Sequence, residues 1–264
     1  ERGTLAKLGC PFMSEAPTQE PSLLVHEIYL SIQGESTYAG LPCIFIRLTG
    51  CDLRCSYCDT TYAFKGGKRM NVSLVLEEVN AMAERFGRDP AHDGCRLPMV
   101  EITGGEPMLQ RSTAALMAQL CDAGYRVLLE TSGAHDVSSV DERVIRIVDL
   151  KCPSSGESER MVWENLDHLR GKDELKMVIA THEDYRWCRE QIRDRNLAEL
   201  CPILVSWCAP LSEGQQDEAL KPGPSPQELI SRKELVEQLV HDALPVRFQA
   251  QLHKIIWPAD QKGV

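Results

Sequence analysis

Short apolar runs alternate with amphipathic segments along most of the chain. The run 43–48 predicts the first strand, and the segment 73–86 after it places Val75, Val79 and Met82 on one helical face. Further strands are predicted at 98–102, 125–130, 144–150, 175–180, 203–207 and 246–252. Further helices are predicted around 109–124 and at 160–169, 183–195 and 226–243.

Alternating strands and helices predict an α/β fold with a parallel sheet and right-handed crossovers. About six strand–helix units are present, fewer than the eight of a closed barrel, so an open sheet or a partial barrel is expected. In both, ligands bind at the carboxyl ends of the strands. We assign residues 23–264 to this one domain. Residues 1–22 contain Pro11, Pro17 and Pro21 and no long apolar core, so they are expected to form a disordered extension.

Composition narrows the class of protein. The formal net charge of −10 argues against a general nucleic-acid binder or a binder of anionic membranes. No apolar run is long enough to span a bilayer, and no signal peptide is visible. The chain has 11 cysteines, and with no secretion signal they favour a reducing cytoplasm and a metal site over disulfides.

Three of these cysteines follow the first strand with C-x3-C-x2-C spacing, at Cys51, Cys55 and Cys58. Three thiolates in one short loop are able to hold a [4Fe–4S] cluster whose fourth iron has no protein ligand, and an open position is typical of catalytic metal sites. A zinc site remains an alternative if the fourth ligand is distant in sequence, because no fourth Cys or His follows at the spacing of a zinc finger. A ferredoxin-type carrier would require a fourth cysteine at its own spacing.

The cysteine loop, with Tyr57 before its last cysteine, resembles the signature of the radical S-adenosylmethionine (SAM) superfamily. Two other segments agree: 103–107 (TGGEP) follows one predicted strand, and 130–133 (ETSG) ends the next. The resemblance implies a partial (β/α)6-type barrel with helices outside. It also implies a 4Fe–4S cluster that cleaves SAM reductively to a 5′-deoxyadenosyl radical.

Five further segments closely resemble the 7-carboxy-7-deazaguanine synthases, and the resemblance runs from about Leu24 to residue 264. The segments are 26–36, 45–51, 58–60, 149–156 and 249–254. This family converts 6-carboxy-5,6,7,8-tetrahydropterin to 7-carboxy-7-deazaguanine, a precursor of queuosine, and releases ammonia. The resemblance therefore implies a carbon–nitrogen lyase that needs Mg²⁺ and a flavodoxin- or ferredoxin-type reductant and forms a homodimer.

Site residues follow from the same resemblance. Because the radical comes from SAM, no protein side chain is expected to be catalytic. The resemblance assigns Thr60 to Mg²⁺ and Cys51, Cys55 and Cys58 to the cluster. The substrate is expected to contact Ile32, Gln33, Gly34, Arg47 and Thr103. SAM is expected to contact Gly105, Glu130, Ser132, Asp149, Leu150 and Lys151.

The C-terminal part departs from the family pattern. Some relatives end in a proline whose terminal carboxylate reaches the substrate, whereas here six residues follow Pro258. Ser206 is expected to replace a polar segment that contacts SAM in some relatives. Gln249, Gln251 and His253 alternate on the predicted last strand, so we expect them to face the substrate together.

Two other function classes share part of the pattern. A glycyl-radical activase uses the same cysteine spacing, but it acts on a protein backbone and would not need Gln33, Arg47 and Thr60. A non-enzymatic iron–sulfur carrier would bind the cluster without producing 5′-deoxyadenosine.

Overall fold

The computed structural model describes residues 20–90, 94–258 and 261–264. Residues 1–19, most of the predicted extension, lie outside this range. The described fold begins slightly before the expected boundary at residue 23, because Ser22 already starts a strand. Glu20 accepts a hydrogen bond of 3.1 Å from the backbone N–H of Ser73. None of the helices among the described residues is long and apolar enough to cross a membrane.

Nine strands and five α-helices form within the described residues. The strands are β1 (Ser22–Ile32), β2 (Pro42–Leu48), β3 (Lys68–Asn71), β4 (Arg96–Gly104), β5 (Tyr125–Thr131), β6 (Ile145–Asp149), β7 (Glu174–Ile179), β8 (Ile203–Trp207) and β9 (Arg247–Gln249). The helices are α1 (Val72–Ala83), α2 (Thr113–Asp122), α3 (His182–Asp194), α4 (Arg232–His241) and α5 (His253–Ile256).

All nine strands belong to one open sheet in the order β3-β1-β2-β4-β5-β6-β7-β8-β9. Strand β1 pairs antiparallel with β2 and β3, and every later pair in that order is parallel. The expected α/β fold with an open parallel sheet is confirmed. The parallel strands therefore end at one edge, where the loops that carry the predicted site residues meet.

The amino-terminal strand was missed by the sequence pattern. The run 43–48 was expected to be the first strand, but β1 precedes it and pairs with strands on both sides. Most of its side chains are only partly buried, and polar residues such as His26, Glu27 and Ser31 break the apolar run. Backbone pairing with β2 and β3, which periodicity does not report, makes this segment a strand.

Three other predicted elements are shorter or different. The predicted helix 160–169 forms the 3₁₀ turns Ser158–Arg160 and Trp163–His168, so the crossover between β6 and β7 contains no α-helix. The predicted helix 226–243 is interrupted before α4, because the backbone N–H of Ile230 donates to the Ala180 carbonyl at 3.0 Å. The predicted strand 246–252 is paired only over β9.

Apolar side chains fill the space between the helices and the sheet in two clusters. One joins α1 and α2 to the first half of the sheet, and the other joins α3 and α4 to the second half. Fully buried members of the first include Val75, Val79, Leu116, Leu120, Ile44, Ile102 and Leu129. These two clusters fix the strands whose carboxyl ends carry the polar loops.

A buried carboxylate connects the start of α3 to the loop after β6. Asp184 accepts hydrogen bonds from the backbone N–H groups of Ala180 and Thr181 at 2.9 and 3.0 Å. It also accepts from the backbone N–H and the hydroxyl of Ser154, at 2.9 and 2.5 Å. Thr181 caps the helix by accepting from the Asp184 N–H at 3.0 Å. One side chain thus positions both a helix and a site loop.

Replacing Asp184 by Ala should lower the free energy of unfolding by about 3 kcal/mol, because buried donors that bonded to a charged acceptor lose their partner. Thr181→Ala removes only the cap and should cost about 1 kcal/mol. Urea unfolding of both variants measures the difference. Equal losses would show that the carboxylate contributes no more than helix capping.

Candidate active site

One pocket at the carboxyl edge of the sheet collects almost all of the residues singled out from the sequence. Its lining includes Ile32, Gln33, Gly34, Arg47, Cys51, Cys55, Cys58, Thr60, Thr103, Gly105, Glu130, Ser132, Asp149 and Lys151. Leu150 and Gln249 are the exceptions. The Leu150 side chain is buried in the core beside α3, and its backbone N–H donates to the Lys176 carbonyl at 2.8 Å.

The cysteine loop leaves β2 and is held from two sides. On one side, the Gly50 carbonyl accepts from the Glu106 N–H at 2.7 Å, and the Gly50 N–H donates to the Ala63 carbonyl at 2.8 Å. On the other side, Ser56 donates its hydroxyl to the Ser154 carbonyl at 2.6 Å. The loop therefore bridges the segments that follow β4 and β6.

Glycine is required where the TGGEP turn meets the cysteine loop. A Cβ on Gly105 would lie 2.2 Å from the Gly50 carbonyl oxygen and 2.9 Å from the Cys51 Cβ. Gly104 has φ of +151°, and a Cβ there would lie 2.3 Å from the Leu48 oxygen. The two backbones touch because neither glycine carries a side chain.

Glu106, the acidic residue of the TGGEP turn, was given no role from the sequence. Its buried carboxylate accepts from the Thr131 hydroxyl at 2.8 Å, and from the Ser132 N–H and hydroxyl at 2.8 and 2.6 Å. It also accepts from the Met108 N–H at 2.8 Å. Glu106 thus ties the TGGEP and ETSG segments together, and its place in the first motif was the signal that could have identified it.

The three loop thiols are free and line the pocket. Burial raises the pKa of Cys51 to about 11 and that of Cys58 to about 12, and it also raises the pKa of Cys55. Binding as thiolates to an iron–sulfur cluster would therefore release protons. Cys208, which follows β8, lines the same pocket.

The donor set fits a cluster with an open iron, since three thiols from one loop line a pocket that also contains polar side chains able to contact a ligand. Within residues 20–90, 94–258 and 261–264, no three His, Cys, Asp or Glu side chains already converge as a metal-ligand set. Ligation would therefore draw the thiols together. A buried oxygen, Asp149 Oδ1, has no hydrogen-bond partner in the described structure, which leaves an acceptor for a ligand beside the thiols.

Charged side chains form the floor of the pocket. The Lys176 ammonium lies 2.7 Å from both Glu35 and Glu130. Burial alone would raise the pKa of Glu35, but Lys176 lowers it to about 2. Burial raises the pKa of Glu130 to about 7. The positive charge of Lys176 acts against this rise, and the negative charge of Glu35 adds to it. The floor thus contains one firmly ionised carboxylate and one that titrates near neutrality.

Glu101 on β4 is a second titrating carboxyl group that sequence reasoning missed. Burial, and then the neighbouring Glu130, raises its pKa to about 8. Its carboxyl oxygen accepts a short hydrogen bond from the Gln33 amide. Glu101 lies within an otherwise apolar strand, which was the available signal. The raised pKa favours the protonated form of this carboxyl group at neutral pH.

Arg47 lines the pocket as expected, but its charge is already paired. Its Nε lies 2.8 Å from a Glu27 carboxylate oxygen, and its guanidinium donates to the Tyr29 hydroxyl at 3.0 Å. Tyr62 also donates its hydroxyl to Glu27, at 3.0 Å. The sequence indicated the arginine and not its partner, because Glu27 lies on the unpredicted strand β1.

Thr60 follows the last cysteine of the loop and donates its hydroxyl to Asp59 at 2.9 Å. Asp59 also pairs with Lys254 of α5 at 2.6 Å. Burial opposes ionisation of Asp59, but Lys254 lowers its pKa well below the usual range. The oxygen expected to bind Mg²⁺ thus lies next to a carboxylate that stays ionised.

The predicted alternation of Gln249, Gln251 and His253 on one strand is wrong, because the strand ends at Gln249 and His253 begins α5. Gln251 and His253 still line the pocket, as does Ser206. Gln249 does not line the pocket, and its side-chain amide donates a hydrogen bond to the Ser206 hydroxyl at 2.9 Å. Contacts with the loop after β1, rather than strand periodicity, bring this segment to the site.

The folded state should lose stability as pH rises through the pKa of Glu101. A raised carboxyl pKa means that the folded protein binds the proton more tightly than the unfolded chain. The resulting stabilisation is complete below the ordinary pKa of 4.5 and is lost as pH rises through about 8. Urea unfolding from about pH 6 to about pH 9 should therefore show a smaller loss for Glu101→Gln than for the parent. Glu130 is present in both proteins and contributes to both pH profiles, so only the difference between them reports on Glu101. Identical profiles would contradict the raised pKa of Glu101.

Comparison with known proteins identifies the family of the chain. The radical SAM superfamily model matches residues 45–155. The chain is 40% identical to a 7-carboxy-7-deazaguanine synthase of Koribacter versatilis, over 91% of this chain and 99% of that protein. It is 39% identical to the synthase of Chlorobaculum tepidum, over 93% and 99% respectively.

A solved structure has the same fold. The crystal structure of QueE from Escherichia coli matches with a TM-score of 0.62 and 21% identity, covering 87% of this chain and 94% of that one. At that identity the match supports the architecture alone. The sequence identities, over nearly the whole length of both relatives, show that the chain belongs to the family of 7-carboxy-7-deazaguanine synthases.

Proposed function

We propose that the chain is a radical SAM lyase that converts 6-carboxy-5,6,7,8-tetrahydropterin to 7-carboxy-7-deazaguanine with release of ammonia, in queuosine-type 7-deazapurine synthesis. The observation that carries the proposal is one pocket that contains both the cysteine loop and the polar residues expected for the pterin. Gln33, Arg47, Thr60 and Thr103 line it together with Cys51, Cys55 and Cys58. Membership of the family supports the same reaction.

The cofactors would be held by residues of adjoining loops. Cys51, Cys55 and Cys58 would bind a 4Fe–4S cluster, and the Thr60 hydroxyl would be one oxygen ligand of Mg²⁺. SAM would lie against Gly105, Ser132, Asp149 and Lys151, which line the pocket beside the thiols. When bound, these groups supply a deoxyadenosyl radical for hydrogen abstraction and a cation that stabilises negative charge.

The protein's own side chains orient the substrate and protect the reaction. The carboxyl of Glu101 accepts a hydrogen bond from the Gln33 amide and so fixes this expected substrate contact in place. Glu35 and Lys176 form a charged floor and hold each other in place at 2.7 Å. Gly105 keeps the TGGEP turn against the cysteine loop. These contacts limit substrate motion, which radical chemistry requires because a misplaced radical attacks the protein.

We also infer a cytoplasmic location, a homodimer and electron supply from a flavodoxin- or ferredoxin-type protein. All of the cysteines within the described residues are free thiols, which supports a reducing compartment. A low-potential donor is consistent with reductive cleavage of SAM. The dimer rests on the family resemblance.

Anaerobic incubation of the reconstituted enzyme with SAM, Mg²⁺, dithionite and 6-carboxytetrahydropterin tests the function. The deazaguanine chromophore should appear with release of ammonia, and Cys55→Ala should abolish product formation because one cluster ligand is lost. Formation of 5′-deoxyadenosine without deazaguanine would favour an activase that acts on a protein. An intact cluster that yields no 5′-deoxyadenosine would favour an electron carrier.

Thr60→Ala should raise the Mg²⁺ concentration needed for half-maximal rate by about tenfold, since a hard cation loses one oxygen ligand. Thr60→Ser keeps the hydroxyl beside Asp59 and should retain the parent's Mg²⁺ dependence. Titration of Mg²⁺ at saturating SAM measures the effect. An unchanged requirement in Thr60→Ala would exclude Thr60 as a ligand.

A further inference from the structure

The C-terminal segment closes one side of the pocket. The Leu252 N–H donates to the Gly34 carbonyl at 2.9 Å, and the Gln251 amide donates to Glu35 at 2.9 Å. His253 lies so close to Gly34 that a Cβ there would be 2.6 Å from the His253 Nδ1. Lys254 adds its ion pair with Asp59. These contacts fix the segment to the loop after β1 and to the cysteine loop.

Among the residues that the structure describes, five lysine and arginine side chains line the pocket, and carboxylates neutralise four of them. Arg47 pairs with Glu27 at 2.8 Å, Lys151 with Asp149 at 2.7 Å and Lys254 with Asp59 at 2.6 Å. Lys176 pairs with both Glu35 and Glu130. A negatively charged ligand that approaches these four cations therefore meets a balancing carboxylate at each of them.

Lys262 is the fifth cation and differs from the others. Its ammonium has no carboxylate within salt-bridge distance among residues 20–90, 94–258 and 261–264. It lies 4.3 Å from the centroid of the Tyr62 ring, and the Arg47 guanidinium lies 5.7 Å from the same ring. The side chain is exposed at the mouth of the pocket. Contact with an aromatic face restrains the ammonium without neutralising its charge.

We propose that Lys262 binds the carboxylate of the pterin substrate and selects for carboxylated pterins. This assignment rests on the proposed function. Arg47 shares its charge with Glu27, so beside a Mg²⁺ held at Thr60 the pocket has room for a further cation that binds the carboxylate directly. Lys262 supplies such a charge from the C-terminal segment, beside the same Tyr62 ring that Arg47 approaches. An ammonium is a flexible point charge with three donors, which suits a carboxylate at a solvent-exposed rim.

The test compares two oxidised, fluorescent ligands that differ only in the carboxylate, 6-carboxypterin and pterin. Both are titrated anaerobically into the reconstituted holoenzyme with SAM and Mg²⁺ present. The variants are Lys262→Met, Lys262→Arg and the control Lys233→Met. Lys233 is an 83% exposed lysine on α4 that lies outside this pocket.

Lys262→Met should weaken binding of 6-carboxypterin by about 5- to 30-fold, since a hydrogen bond to a charged group is lost, and should leave pterin binding unchanged. Lys262→Arg should recover most of the loss, and Lys233→Met should match the parent. Added salt should reduce the parent's preference for the carboxylated ligand, because the ammonium is exposed. The preference should depend less on salt in Lys262→Met.

Equal weakening of both ligands, or no weakening, would overturn the proposal. The proposal would also be overturned if Lys262→Met weakened SAM binding but kept the preference for 6-carboxypterin over pterin. The ammonium would then bind the methionyl carboxylate of SAM. Turnover of 6-carboxytetrahydropterin by the parent enzyme is measured alongside. If the parent binds 6-carboxypterin selectively through Lys262 but forms no deazaguanine, the proposed reaction fails while the carboxylate site stands.

Discussion

Contact between two backbones holds the site together. The Glu106 N–H donates to the Gly50 carbonyl at 2.7 Å and the Gly105 N–H donates to the Leu48 carbonyl at 3.1 Å. The contact exists only because position 105 has no Cβ, which would lie 2.2 Å from the Gly50 oxygen. It fixes the start of the cysteine loop against the end of β4. The carboxylate of Glu106 then extends the restraint to Ser132 at the end of β5.

A site built on backbone contacts leaves its side chains available for ligands. The thiols of the cysteine loop face the pocket. The loop itself is held by Ser56, whose N–H donates to the Ser155 carbonyl and whose hydroxyl donates to the Ser154 carbonyl. Asp184 supports Ser154 from the far side, at the start of α3. Part of the stability in this region is therefore supplied by Gly50, Ser154 and Asp184, which have no assigned ligand contact, so the three thiols do not have to provide it.

Sequence reasoning succeeded where local pattern and chemistry coincide. The cysteine loop, the TGGEP turn and the ETSG segment each follow a strand that its own apolar residues predict, so both fold and site followed from them. Glu27, Glu101 and Glu106 were missed as site residues because their importance comes from partners distant in sequence. Glu27 acts on Arg47 across paired strands, and Glu101 bonds to Gln33 from a different strand. No periodicity reports such pairs.

The C-terminal errors have the same cause. Strand periodicity suggested that Gln249, Gln251 and His253 share one face, whereas β9 ends at Gln249. Gln251 and His253 reach the pocket because Leu252 bonds to the Gly34 carbonyl, a tertiary contact across more than two hundred residues.

The balance of charge in the pocket explains why a late segment of the chain matters to specificity. Core strands place Lys176 and Lys151 deep in the site, where burial makes an unpaired ammonium too costly, so each carries a carboxylate partner. A cation that is to remain free for a ligand must therefore lie near solvent.

In a sheet whose strand ends are already occupied by the cofactor loops, the rim is formed by loops and by the C-terminal segment. Lys262 satisfies this requirement, since it is exposed and restrained only by the ring of Tyr62. Deep positions thus supply rigidity, and the rim supplies the uncompensated charge that distinguishes one pterin from another.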